Sequence, residues 1–301
     1  MSKLKAIKPK ETKPKKPFVL IYGAPGSRKT WESLSWPSVF YCDSEGGATN
    51  KAYQDRLLAG GGEYLGREQG SGDFDEVIAQ VKALATEKHR YKTFVLDSIS
   101  KVYNSEITKE QERLGDKDAF GASKKPAVAK TKRLIHWLDQ LDMAKVLIAH
   151  SKPTWIQDKQ GPETFDAYEK LGYELDLVLH IVRTGASSKA FVKKSRLPGF
   201  EDSMSFEWTY PAFAEIFGKS IIEAEPVQIV LATPEQIAEV SRLLGLVKLD
   251  SSVKDKWIDE NKDNLTETEA EKVAGVIAHL KAKITPVTID APVPPKQKQE
   301  K

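Results

Sequence analysis

Eight residues constrain this chain most: Gly23-Ala-Pro-Gly-Ser-Arg-Lys-Thr30, set directly behind the apolar run Phe18-Val-Leu-Ile21. A buried strand that runs through a glycine-rich turn into a helix points several backbone N–H groups at one spot, and a phosphate can sit there. Gly23, Ala24, Pro25, Gly26, Ser27, Arg28, Lys29 and Thr30 are therefore candidate phosphate contacts. Lys29 is placed for the β- and γ-phosphates, and the Thr30 hydroxyl for Mg2+. One position departs from the pattern. A phosphate loop carries glycine immediately before its lysine, and Arg28 stands there instead. Gly23 and Gly26 still allow a tight turn, with the arginine side chain outside it. The competing reading is an ordinary strand-to-helix turn with a surface lysine.

The rest of the chain alternates in the same way. Strands are expected at Phe18–Tyr22, Ser38–Cys42, Thr93–Leu96, Val146–Ala149, Leu175–Val182 and Lys189–Lys193, with a possible edge strand at Met204–Trp208. A helix should open at Lys29–Leu34. Glycine-rich sequence (AGGGEYLG, then GSGD) reads as a loop before an amphipathic helix with Val77, Ile78, Val81, Leu84 and Ala85 on one face. This order predicts an α/β domain with a largely parallel sheet over residues 17–225, whose ligands sit at the carboxyl ends of the strands. Residues 226–284 read as a small helical domain. Its helix starts are Thr233-Pro-Glu-Gln236 and Thr266-Glu-Thr-Glu269, each with the pattern of a capping box. The tail 285–301, rich in proline and lysine, is expected to be disordered.

Polar residues gather at three of the expected strand ends. FVLDS ends in Asp97, which suits a carboxylate that holds Mg2+. FYCDSEGG brings Asp43 and Glu45, and a carboxylate there can polarise an attacking water. VLIAH places His150 at the end of a buried run. Each has a bland counterpart: a strand ending in aspartate, an Asp-Ser-Gly turn, a packed histidine.

Taken in order, a loop with Lys-Thr, a strand end with D-x-E, a strand end with D-S and a strand end with a polar sensor resemble the RecA-type ATPase core. They are similar above all to phage-encoded RecA-like proteins of single-strand annealing and recombination. The likeness spans about residues 17–210 and is carried by WPSVFYCDSEGGA, YKTFVLDSIS and AKVLIAHSKP besides the loop. The resemblance implies a RecA-like P-loop ATPase that uses ATP and Mg2+. Lys29 and Thr30 would bind phosphate and metal, Asp97 would hold the metal with Thr30, Glu45 would be the catalytic carboxylate and His150 the γ-phosphate sensor. It also implies that Ser151–Gly172 is a loop for single-stranded DNA. Lys152, Trp155 and Lys159 would stack on bases and attract the backbone, although a lid or packed connection fits the same residues. FVKKSR resembles the strand that offers basic residues to a neighbouring subunit, so Lys194 and Arg196 become candidate fingers in a ring or filament, or else solvated strand residues. Lys124 and Lys125 end a glycine-rich stretch that is either a second DNA-facing loop or a helix connection. In this setting the Arg28 guanidinium is expected to face solvent, DNA or a neighbour. Expected partners are single-stranded DNA, further copies of the chain, and a single-strand-binding or replisome protein. A helicase loader, a replication regulator and a DNA-binding protein with a decayed ATPase site are the alternatives.

Charge and cysteine usage set further bounds. Net charge is only +3, yet seven lysines fall in the first sixteen residues, which read as a disordered basic arm. Cys42 is the single cysteine, so no intramolecular disulfide forms, and a reducing compartment is expected. The five histidines show no metal-ligand spacing. No run approaches the roughly twenty apolar residues of a membrane span, and the N-terminus lacks the apolar core of a signal peptide. The expected location is the cytoplasm, that of an infected host if the chain is phage-encoded.

Overall fold

The computed structural model describes residues 14–119, 121–156, 158–246 and 265–284. Most of the basic arm, the tail from residue 285 and residues 247–264 lie outside them. The chain divides into two compact units, Met1–Gln228 and Ile229–Lys301.

In the first unit, nine strands form one sheet among the described residues: β1 (Phe18–Gly23), β2 (Val39–Asp43), β3 (Glu63–Leu65), β4 (Thr93–Asp97), β5 (Ala144–Ile156), β6 (Lys159–Phe165), β7 (Leu177–Thr184), β8 (Ser187–Ser195) and β9 (Ser205–Glu207). The order is β3-β2-β4-β5-β1-β7-β8-β9, with β6 paired to β5 off this path. The six strands from β3 to β7 are parallel; β8, β9 and β6 join antiparallel. The fold is thus α/β with a mostly parallel sheet, as the alternation predicts. Every residue of β1 and β4 is buried, which explains why they read as continuous apolar runs rather than alternating ones.

Five helices matter for the site: α1 (Lys29–Ser33), α2 (Lys51–Ala59), α3 (Phe74–Thr86), α4 (Ile99–Leu114) and α5 (Lys124–Gln140). The apolar face expected on α3 is buried, and Asp73 caps its first turn by accepting from the N–H groups of Asp75 and Glu76. Ser98 caps α4 in the same way through Lys101 N–H. Trp36, Trp208 and Phe213 pack together beside the antiparallel edge, with Trp36 and Phe213 centroids 4.8 Å apart. Aromatic burial of this kind fastens the last strands to the sheet.

Register aligns the strand ends that the sequence singles out. Asp43 pairs with Asp97, Asp97 with Ile148, and Gly23 with His150. β5 therefore stands between the strand that leads into the phosphate loop and the strand that ends in Asp97.

Four expectations change. Lys51–Ala59, for which no element was expected, is a helix, and Glu63–Leu65, inside the expected glycine-rich loop, is a strand. Ser151–Gly172 is no loop. β5 runs on past His150 and β6 folds back on it as a hairpin, followed by the short helix Leu171–Glu174. Lys16, counted above with the arm, is buried and donates to Ala224 O at 2.5 Å. Lys124 and Lys125 form the exposed first turn of α5 rather than the end of a loop.

In the second unit, Thr233 and Gln236 form the expected capping box, with N–H to side-chain distances of 3.0 and 3.3 Å in the two directions. The helix Pro234–Leu246 packs Val240, Leu243 and Leu244 against Val273 and Leu280 of the helix Ala270–Lys283. The second helix does not start at Thr266. Leu265 and Thr266 close a helical turn in which Thr268 N–H donates to Leu265 O, Glu269 then bridges Leu231 in antiparallel fashion, and the helix begins only at Ala270, whose N–H donates to Val230 O.

Candidate active site

A cavity of about 700 Å3 opens at the carboxyl ends of the parallel strands. Its lining includes Gly23, Pro25, Gly26, Lys29 and Thr30 from the phosphate loop, Glu45, Gly46 and Gly47 from the turn after β2, Tyr53 of α2, Asp97 of β4 and His150 of β5. Residues spread over more than a hundred positions thus meet at one place.

The loop closes as its glycines predict. A Cβ on Gly23 would lie 2.2 Å from Ile181 O of β7, so no larger residue fits. Lys29 curls back over the turn, its Nζ donating to Gly23 O at 2.7 Å, Ala24 O at 3.0 Å and Ser27 Oγ at 3.3 Å. Burial pushes the Lys29 ammonium below its ordinary range, while the Asp97 and Glu45 carboxylates pull it back up.

Arg28 adopts the left-handed conformation (φ 65°, ψ 21°) in which the usual glycine is at ease. For an L-residue this costs about 1 kcal/mol or more. Its guanidinium does not reach outward as expected. It donates to Ala186 O in the β7–β8 turn and pairs with Glu32 at 3.1 Å. The same turn braces the loop twice more, through Ser188 Oγ to Ser27 O at 3.0 Å and Arg183 Nη1 to Gly26 O at 3.4 Å. The arginine side chain thereby helps hold the conformation its backbone disfavours.

Asp97 is buried, and its Oδ2 accepts from Thr30 Oγ1 at 2.5 Å and Tyr41 OH at 3.1 Å. Burial pushes its pKa up to about 6; the Thr30 and Tyr41 hydrogen bonds oppose this, and the Glu45 and Asp43 carboxylates add to it. A buried carboxylate beside a threonine hydroxyl is a pair of hard oxygen donors, the set that Mg2+ takes. Thr30 and Asp97 fit that ion.

Glu45 stands across the cavity, about a third exposed. Its Oε1 accepts from Ser98 Oγ at 2.5 Å and lies 2.9 Å from His150 Nε2. Ser98 thus caps α4 and holds Glu45 together; the peptide joining it to Asp97 is cis. Asp43, the other acid of that turn, takes a structural part. Its two oxygens collect the N–H groups of Gly46, Gly47 and Ala48 at 2.8–3.0 Å and set the turn that carries Glu45.

The other predicted residues lie elsewhere. Lys152 and Trp155 are on the β5 arm of the hairpin and Lys159 on β6; Trp155 is 69% exposed, and Lys152 pairs with Asp166 at 3.3 Å. Asp166 N–H donates to His150 O at 2.8 Å and Ser100 Oγ to Asp166 O, so the hairpin base is stitched to His150. Lys194 and Arg196 turn back onto the carbonyls of Leu175 and Tyr173 and do not line the chain's own cavity. Tyr41, Tyr53 and Ser98 belong to the site and escaped the sequence reading. Only Ser98 carried a signal, as the residue directly after Asp97.

A family model described as an AAA domain matches residues 15–202. Among solved structures, a crystal structure of the RadB recombinase is 16% identical, with a TM-score of 0.43, covering 64% of this chain and 86% of that one. An ATPase from the type III secretion system of pathogenic bacteria is 10% identical, with a TM-score of 0.38, covering 88% and 79%. No curated protein matches the sequence. No helix among the described residues is long and apolar enough to cross a membrane.

Proposed function

The chain belongs to the AAA-domain family that its residues 15–202 match, and from that premise we propose that it is a RecA-like ATPase that hydrolyses ATP with Mg2+ and acts on single-stranded DNA in recombination, annealing or replication. The observation that carries the proposal is the convergence of Lys29, Thr30, Asp97, Glu45 and His150 on one cavity. Phosphoryl transfer asks a protein for positioning and charge neutralisation more than for covalent chemistry, and this set supplies both. Lys29 exchanges its loop carbonyls for phosphate oxygens. Mg2+, held by Thr30 and Asp97, would neutralise charge on the phosphates. Glu45 orients the attacking water and takes its proton, and His150 reports the γ-phosphate position to the hairpin through β5.

The DNA part of the proposal is supported by that hairpin. An exposed tryptophan between two lysines suits base stacking with backbone attraction, and it lies on the strand that also bears His150. Lys194 and Arg196 are assigned to the cavity of a neighbouring copy in a ring or filament. A second reading, nucleotide binding without appreciable turnover, rests on one observation: the Glu45 carboxylate is already engaged by Ser98 and His150.

Hydrolysis measured with and without single-stranded DNA separates these readings. The proposal expects turnover that DNA stimulates and that Lys29→Ala removes. Nucleotide binding with no turnover under either condition would favour the second.

A further inference from the structure

We infer that Arg67 is a positioning residue for Glu45, an inference that rests on Glu45 being the carboxylate that handles the water. Arg67 opens a short 3-10 turn in the glycine-rich stretch that precedes α3. It is the single basic residue in AGGGEYLGREQGSGD. Its Nε donates to Ser44 O at 3.0 Å and its Nη2 donates to Glu45 O.

Those two carbonyls belong to the peptide planes on either side of the Glu45 Cα. The relative tilt of the two planes is set by the φ and ψ of Glu45, so one planar guanidinium that holds both fixes the direction in which the Glu45 side chain leaves the backbone. The next residue makes room for it. Gly46 has φ 86°, and a Cβ there would lie 3.3 Å from Arg67 Cζ. Ser71, from the same stretch, donates to Asp43 O at 2.6 Å, so the preceding peptide is anchored as well. Residues 67–71 thus hold the backbone from outside, while Ser98 and His150 hold the carboxylate from the cavity side.

A lysine brings a point charge on a flexible stem and cannot serve both carbonyls in one plane. The test compares Arg67→Ala, Arg67→Lys and Glu45→Gln in three measurements: ATP turnover, affinity for Mg-ATP, and the His150 imidazole signals in NMR. For Arg67→Ala the expected result is a fall in kcat of about 10- to 100-fold, as misplacement of a reacting group by about an ångström produces. Nucleotide Kd should stay within about twofold, because Arg67 does not line the cavity. Arg67→Lys should recover only part of the rate, and added guanidinium ion should raise the rate of the alanine variant. The His150 signals should move in Arg67→Ala in the direction they move in Glu45→Gln.

A wild-type kcat in Arg67→Ala beside a dead Glu45→Gln overturns the inference and leaves the reading of Glu45 intact. Loss of nucleotide binding in Arg67→Ala also overturns it, since Arg67 would then act on the ligand. If Glu45→Gln turns over like the wild type, the reading of Glu45 falls. The His150 signals then decide by themselves whether Arg67 places that carboxylate, and signals unmoved in Arg67→Ala count against it.

Discussion

The two sides of the cavity are built differently. On one side Lys29, Thr30 and Asp97 sit at the ends of a strand and the start of a helix, in or next to the core, with the buried Asp97 carboxylate held by Thr30 and Tyr41 at the cavity wall. On the other side Glu45 and His150 are partly exposed, and Glu45 rides on a turn whose shape depends on Asp43, Arg67, Ser71 and Ser98. The first side follows from the local chain: given the strand and the loop, its residues have nowhere else to go. The second side is assembled by side chains from three separate segments. Lys29, Thr30 and Asp97 are thus placed by strand, loop and helix, whereas Glu45 is held by side chains that reach it from other segments.

The sharpest break in this contrast comes from Lys29→Ala, which should abolish nucleotide binding and turnover together, because its ammonium is the one cation of the loop that lines the cavity. Binding by equilibrium dialysis checks it, and near-normal affinity would remove the phosphate side from the account. Asp97→Asn comes next. Nucleotide binding should lose most of its dependence on Mg2+, while the ligand-free protein becomes more stable at neutral pH, since an ionised carboxylate no longer has to be buried.

That stability has a direction with pH. The folded protein holds the Asp97 proton up to about pH 6, whereas the unfolded carboxyl releases it near its ordinary value of 3.8. Between those limits the folded state binds more protons, so this group favours folding below the window and loses that contribution as pH rises through it, by about 3 kcal/mol across two units. Denaturant titrations at pH 4 and pH 7 should show the loss in the wild type and not in Asp97→Asn.

Smaller effects probe the periphery. Trp155→Ala should weaken single-stranded DNA by about 1–3 kcal/mol, the range for one stacked base, and leave DNA-free hydrolysis alone. Arg28→Gly should change nucleotide affinity least. It relieves a left-handed arginine, worth about 1 kcal/mol, and gives up the contacts with Ala186 and Glu32 in exchange. A large loss of affinity would show that Arg28 itself touches the nucleotide.

The same contrast explains what could be read in the sequence. The strands and helices that carry Gly23, Lys29, Thr30, Asp97 and His150 are legible because burial on both faces writes long apolar runs, and each run ends in a polar residue. α2 left no such mark, since Leu57 is its one buried residue and it has no apolar stripe. The hairpin was hidden by Pro153 and Pro162, which argue against a strand in sequence but are tolerated in a peripheral hairpin off the main sheet path. Arg28 read as an outward-facing side chain because its acceptor, Ala186 O, lies 158 positions away. Arg67 and Tyr41 also act on residues in other segments, 22 to 56 positions away, which spacing along a chain does not encode.

If the two sides meet on one Mg-ATP, Glu45 is needed for chemistry and not for binding. The most direct measurement pairs calorimetric Mg-ATP binding with steady-state hydrolysis for the wild type and Glu45→Gln. Affinities are expected within about threefold of each other, with a turnover at least about 100-fold lower in the variant, the scale of losing a general base. Equal turnover in the two proteins would contradict it.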